Sequence, residues 1–220
     1  MIKIVDLFDL SRSLAGEWLK QFTYPWETLG GINEMILELG AGLDPEEYDH
    51  PREDVWIARD AVVAPSAHIG GPAIIGPKCE VRHCAFIRGG ALVGAGCVVG
   101  NSTELKNVIL FDGVQVPHYN YVGDSILGYK AHMGAGSITS NVKSDKTLVV
   151  VKDSDGDLYP TGRKKVGALL GDEVEIGCNA VLNPGTVVGR RSAVYPTACA
   201  RGVIPADSIL KATGEVVQKR

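Results

Sequence analysis

Residues 57–116 read IARDAVVAPSAHIGGPAIIGPKCEVRHCAFIRGGALVGAGCVVGNSTELKNVILFDGVQV, and their period decides the fold. Counted in sixes from Ile57, the first positions are Ile57, Val63, Ile69, Ile75, Val81, Ile87, Val93, Val99, Leu105 and Phe111, all apolar. The fifth positions are small at Ala61, Ala67, Ala73, Cys79, Ala85, Ala91, Cys97 and Thr103. A helix repeats about every 3.6 residues and a two-sided strand about every 2, so neither explains a period of six. Six is the period of a hexapeptide β-helix, in which each unit forms one short side of a coil. Three sides close a triangular turn of about 18 residues, so residues 18 apart stack one strand spacing apart, ~4.8 Å. The expected core is a mainly β solenoid with Val, Ile, Ala and Cys inside.

Working outward, residues 1–50 lack the period. Leu14, Trp18, Leu19 and Phe22 share one helical face, and Pro25 to Leu39 reads as a second helix with Gly40 beyond its end. A helical hairpin of this kind is expected to cap the open edge of the first coil. No Gly-rich nucleotide loop occurs there, so no nucleotidyltransferase domain is expected in this chain. The coil is expected over residues 51–202. It slips phase after Phe111, and five-residue sides are expected around Pro117–Tyr121. Residues 143–165 interrupt it with a protruding hairpin, strand Thr147–Val151, turn Asp153–Asp157 and return Leu158–Tyr159. The three aspartates of that turn resemble a calcium loop, but position twelve is Lys164 rather than Glu, which favours a plain turn. Hexads resume at Leu170, giving six to seven coils in all, and residues 203–220 read as a last strand pair around Thr213-Gly214.

Composition limits the partners. Of 220 residues, 26 are acidic and 22 basic, for a formal charge of −4. No global basic field recruits nucleic acid or an anionic membrane. No stretch reaches the ~18 consecutive apolar residues of a membrane span, and no cationic leader is visible. Five cysteines without a CxxC pair give neither a disulfide framework nor a metal ligand set, so no metal is expected and the expected compartment is cytoplasmic.

The exceptions to the hexad carry charge. Its second position is small at Ala58, Ala64, Gly70, Gly76, Gly94 and Gly100, but becomes Arg82, Arg88, Lys106 and Asp112 elsewhere; Arg88 and Lys106 are 18 apart, while Arg82 falls on a different face and reads as a surface residue. Two cations one strand spacing apart either share an anion or splay into water, since at that distance they repel by roughly 3–4 kcal/mol at an effective dielectric near 20. Spacing alone leaves both open. His118, with Asn120 and Tyr121, falls where the phase breaks; a histidine in such a turn serves as a base or simply faces water.

The strings RGGALVGAGCVVGNSTELK (88–106), HYNYVGDSILG (118–128), MGAGSITSN (133–141) and GDEVEIGCNAVLNPGTVVG (171–189) resemble the left-handed β-helix acyltransferases. Within them the chain is similar to the acetyltransferase domain of the bifunctional enzymes that make UDP-N-acetylglucosamine. The resemblance implies a left-handed parallel β-helix, assembly as a homotrimer, acetyl-CoA as co-substrate and an amino-sugar phosphate such as glucosamine 1-phosphate as acceptor. It assigns His118 as the catalytic base, Arg88 and Lys106 as phosphate ligands, and Tyr121 and Asn141 as sugar contacts. Ala135 and Cys178 fall at positions that meet acetyl-CoA. The chain departs from the pattern at His132, where the family has Asn, and at Val142, where it has Tyr; His132 is expected on the substrate. The hairpin at 143–165 replaces a shorter loop. Two alternatives stay open: acyl transfer to another acceptor, and a trimeric scaffold that binds a nucleotide sugar without turning it over. A metal-dependent β-helix carbonic anhydrase is disfavoured, because its paired histidines are missing around His118.

Overall fold

In a strand successive side chains alternate between faces, so an apolar residue flanked two positions away by a small one puts both on the same side. Repeated every six residues, this gives strands of two to four residues separated by corners. The structure, a computed structural model, describes residues 2–153 and 155–219. It is mainly β, a left-handed parallel β-helix with three faces. The first face runs from Val55–Ala58 to Val203–Ile204 and the second from Val62–Val63 to Ser208–Leu210, eight strands each; the third, from His68–Ile69 to Cys199–Ala200, has seven. The coil therefore continues past Gly202, which is why it exceeds the six to seven turns expected. It ends where Ser208–Leu210 pairs antiparallel with Val216–Gln218. In front of the first coil, Tyr48–Arg52 pairs antiparallel with Val55–Ala58.

The phase slip lies elsewhere than the hexads suggest. Glu104 stands opposite Phe86, 18 residues back, but Val108 stands opposite Ala91, only 17 back. The shortened sides are therefore Leu105–Leu110 and Val122–Leu127, both crossing the corner between the third and first faces. There Asn107 and Asp124 adopt φ of 54° and 48°, a region that Asn and Asp tolerate better than most residues. Leu110, opposite Val93, fills the inward position expected for Phe111. Phe111 instead stacks on Phe8 with ring centroids 5.1 Å apart. His118 thus sits at a regular corner rather than an irregular one.

The N-terminal segment does not cap the first coil. It lies along the first face, because the outward residues there are apolar on every coil: Ile74, Leu92, Ile109, Ile126, Leu169 and Val187 all have 0% exposure. Each such side chain buried contributes about 1.5–3 kcal/mol relative to exposure. Trp26, Leu29, Ile32, Met35 and Ile36 are buried in the same core. Short helices at Ile4–Leu7, Gly16–Leu19 and Pro25–Thr28 precede one longer helix, Ile32–Ala41. Leu14 is 46% exposed, so the first expected helix reduces to a single turn. The second is split at Gly30-Gly31, and Gly40 lies inside it rather than beyond its end. A Cβ on Gly40 would meet the Trp56 ring at 2.5 Å, so only glycine lets the helix approach this closely.

The inserted segment forms the expected antiparallel pair, Val150–Lys152 with Leu158–Pro160. It folds back rather than protruding: Val149 and Val151 are buried, and Tyr159 lies 5.7 Å from Tyr24. In its turn one Asp153 oxygen accepts the N–H groups of Asp155 and Asp157 at 3.0 and 2.9 Å; Ser154 lies outside the described residues. Among the described residues no group of three or more His, Cys, Asp or Glu is placed to hold a metal ion, and no helix is long and apolar enough to cross a membrane.

Candidate active site

The strand register gathers most of the singled-out residues at two edges of the third face. Arg88 N–H bonds the Leu105 carbonyl at 2.9 Å, which seats Lys106 beside Arg88. Lys106 in turn stands opposite Gly123. The two cations are stacked as their spacing predicts, and the alternatives left open by spacing are replaced by a third: each has its own carboxylate. Arg88 Nη1 is 2.8 Å from Glu104 Oε1, and Lys106 Nζ is 3.2 Å from both oxygens of Asp124. The Glu104 hydrogen bond also raises the Arg88 pKa.

Asp124 is the centre of this cluster, with its side chain only 6% exposed. Besides Lys106 it accepts Asn107 Nδ2 at 3.0 Å and Asn141 Nδ2 at 2.5 Å. Asn141 Nδ2 also donates to the Tyr121 hydroxyl at 3.2 Å. The Tyr121 ring lies flat across Gly123, whose Cβ, if present, would meet the hydroxyl at 2.5 Å. Burial, followed by the nearby Asp124 charge, pushes the Tyr121 pKa up, keeping the phenol neutral as a hydrogen-bond donor or acceptor. Sequence reasoning missed Asp124 and Glu104. The coil here is 17 residues, so Asp124 stacks on Asn107 at the corner rather than on Lys106, whose counterpart is Gly123, and hexad counting gave no signal for it.

His118 stands at the other edge of the third face. Its N–H donates to Asn120 Oδ1 at 3.1 Å, and its carbonyl accepts the Gly136 N–H at 3.0 Å. The Asn120 side chain is buried and donates to the Gly134 carbonyl at 2.8 Å, so the corner presenting the exposed imidazole is braced from inside. Ala135 and Cys178 continue the same column, since Asn179 N–H bonds the Ala135 carbonyl at 2.9 Å. In the Met133–Gly136 turn, the Gly134 and Gly136 N–H groups are engaged by the Ile176 and His118 carbonyls. Ala135 is the turn's remaining candidate donor for an oxyanion.

His132 is not brought to this cluster within one chain. It lies on the second face, opposite Gln115 and Glu175, with Nδ1 2.8 Å from Glu175 Oε2. Nine residues separate it from Asn141, and they turn the corner between the second and third faces, so within one chain the two stand on different sides of the prism. Cys79 and Cys97 are buried, as their fifth hexad position requires, and all five cysteines are free.

A family model described as the GMPPB C-terminal domain matches residues 71–192, more than half of the chain. The chain belongs to that family. It is 29% identical over 220 residues to the bifunctional protein GlmU of Methanococcus maripaludis, covering 98% of this chain and 52% of the relative. It is 32% identical over 187 residues to a bifunctional sugar-1-phosphate nucleotidylyltransferase/acetyltransferase of Sulfurisphaera tokodaii, covering 83% and 46%. The chain thus spans about half the length of these curated relatives. Among solved structures, the acetyltransferase domain of PglB from Neisseria gonorrhoeae, in complex with acetyl coenzyme A, matches at 18% identity and a TM-score of 0.35, covering 85% of this chain and 65% of that one.

Proposed function

We propose that this chain transfers an acetyl group from acetyl-CoA to the amine of an amino-sugar phosphate such as glucosamine 1-phosphate. The observation that carries the reading is the third face: a braced histidine at one edge, a cationic and amide-rich cluster at the other, and Tyr121 lying across toward the second. The Sulfurisphaera relative, named as a bifunctional sugar-1-phosphate nucleotidylyltransferase/acetyltransferase, supports the same reaction class.

The residues divide the work by position. Arg88 and Lys106 hold the acceptor phosphate, Asn141 and Tyr121 contact the sugar, and His118 receives the proton that the amine must lose. The amine nitrogen bonds to the thioester carbonyl carbon, the C–S bond breaks, and His118 returns the proton to the departing sulfur. The Ala135 N–H faces the oxyanion, while Cys178 lines the path of the pantetheine arm. Because His118 and Lys106 occupy opposite edges, we infer a homotrimer in which a neighbouring copy closes the site; a sedimentation mass of one chain contradicts this. Five free cysteines favour a reducing compartment, and we place the activity in the cytoplasm.

The test is a thiol-release assay with acetyl-CoA and amino-sugar phosphates. His118→Ala is expected to lower kcat by ~10²–10⁴-fold, the range for loss of a general base; an unchanged rate rejects the assignment. A second reading has its own observation. Arg88 and Lys106 are already neutralised by Glu104 and Asp124, as suits a scaffold that binds a sugar nucleotide without turnover. Sugar-nucleotide binding with no thiol release from any acceptor would favour it.

A further inference from the structure

The edge between the second and third faces, which carries His118, is built from one column of corner residues. Ser102 N–H bonds the His83 carbonyl, Tyr119 N–H the Asn101 carbonyl and Gly136 N–H the His118 carbonyl; Asn179 and Thr197 do the same to Ala135 and Cys178. Each bond seats one corner on the next, so Cys84, Ser102, Tyr119, Gly136, Asn179 and Thr197 follow one another along the edge. Their φ values are 61°, 53°, 51°, 70°, 56° and 63°. Because five of the six keep this left-handed backbone while carrying a side chain, the conformation alone does not call for glycine at 136.

What calls for it is the side chain of Asn179. A Cβ on Gly136 would overlap Asn179 Oδ1 and come within 3.4 Å of its Cγ. The amide of Asn179 therefore lies back over the Gly136 backbone, beside the turn that holds Ala135. Its Nδ2 is a free donor: among the described residues no hydrogen bond engages the Asn179 side chain, which is exposed. Of the three N–H groups at Gly134, Ala135 and Gly136, the first and last are taken up by the Ile176 and His118 carbonyls. The backbone thus offers one donor there, and Gly136 makes room for a second beside it.

We propose that Asn179 is a catalytic residue whose Nδ2 donates, together with the Ala135 N–H, to the oxyanion of the tetrahedral intermediate. The inference rests on the acetyl-transfer reading above and adds a residue to it. When the amine nitrogen bonds to the thioester carbon, the carbonyl π pair moves onto oxygen, and that charge is stabilised by donors already held in place. When the C–S bond breaks, the pair returns to form the carbonyl of the amide product and releases Nδ2. No proton passes through Asn179; the proton goes from the amine to His118 and on to the departing sulfur. Gly136 is then a positioning residue, since its missing side chain is the space the amide occupies.

Thiol release with acetyl-CoA and glucosamine 1-phosphate, alongside calorimetry with coenzyme A, tests this on Asn179→Ala, Gly136→Ala and the double variant. Asn179→Ala is expected to lower kcat by about 10²–10³-fold, the range for one lost oxyanion donor. Its affinity for coenzyme A is expected to stay unchanged, because the donor acts on charge that only the transition state carries. Gly136→Ala is expected to slow the reaction by displacing the same amide, so adding Asn179→Ala to it costs little more. An unchanged kcat in Asn179→Ala overturns the proposal. So does a loss of coenzyme A affinity with kcat intact, which assigns the amide to the pantetheine arm, and so do fully additive losses in the double variant, which separate Gly136 from Asn179. Thermal midpoints matching the wild type confirm that the variants are folded. A wild type that releases no thiol with any amino-sugar phosphate removes the acetyl-transfer reading itself and the role of Asn179 with it. An active wild type matched by Asn179→Ala removes Asn179 alone.

Discussion

The first and third faces of the prism share one backbone and one set of inward residues, yet one is sealed and the other open. On the first face the outward side chains are Ile74, Leu92, Ile109, Ile126, Leu169 and Val187, all fully buried, with the helix Ile32–Ala41 packed on the strands that carry Ile74, Leu92 and Ile109. On the third the corresponding row is His68, Phe86, Glu104, Tyr121, Ile138, Val181 and Cys199, none of them buried. The inward hexad positions build a coil, and the outward ones decide what each side of it is for. A hexapeptide repeat is in this sense three independent surfaces written at a spacing of one coil.

The largest test of the comparison is to put a charge on each face. Leu92→Asp places a carboxylate, without a partner, among apolar side chains and is expected to cost about 4 kcal/mol or more, enough to undo the docking of residues 2–47 or the whole fold. Phe86→Asp, on the outer third face at 43% exposure, is expected to change stability by less than about 1 kcal/mol. Urea unfolding of both reads the difference; similar losses would show that the two faces are not distinct.

A smaller effect is expected inside the charged cluster. Asp124→Ala deprives Lys106, Asn107 and Asn141 of their common acceptor and is expected to cost about 1–3 kcal/mol, the range for leaving buried polar groups unsatisfied. If Asp124 acts by orienting Lys106 and Asn141, the variant also loses affinity for glucosamine 1-phosphate. Unchanged stability with unchanged affinity would mean that this end of the third face is merely a solvated surface.

How much of this was legible follows the same division. The inward residues announced the coil, because no other structure needs an apolar residue every sixth position. The one misread, Phe111, came from a run of four apolar residues, Val108 to Phe111, in which a one-residue slip leaves no gap in the pattern. The slip lies at Asn107, where a left-handed backbone lets two residues do the work of three, and hexad counting does not register it. Arg88, Lys106 and His118 stood out as exceptions to a rule. Asp124 did not, because its value lies in three partners brought from other coils. The cladding of the first face was written in the outward stripe from Ile74 to Val187, yet a helical hairpin next to an open coil end suggested a cap instead.

The smallest test concerns the clip that holds the cladding in place. Asp172, at the corner between the first and second faces, accepts the Asp9 and Tyr129 N–H groups at 2.7 and 2.8 Å, and Arg190 Nε lies 3.3 Å away. Burial raises the Asp172 pKa above its ordinary value of 3.8, outweighing the two backbone hydrogen bonds and Arg190, which act in the opposite sense. A carboxyl that holds its proton more tightly when folded favours folding most below pH 3.8, and that contribution fades as pH rises through the higher folded value. The stability of the wild type relative to Asp172→Asn is therefore expected to fall with rising pH across a window that starts near 3.8. Urea midpoints of the two proteins between about pH 3 and 7 measure it. A difference that rises with pH would mean that the Asp9 and Tyr129 amides and Arg190 dominate, and that the N-terminal segment is held by an ionised carboxylate rather than in spite of one.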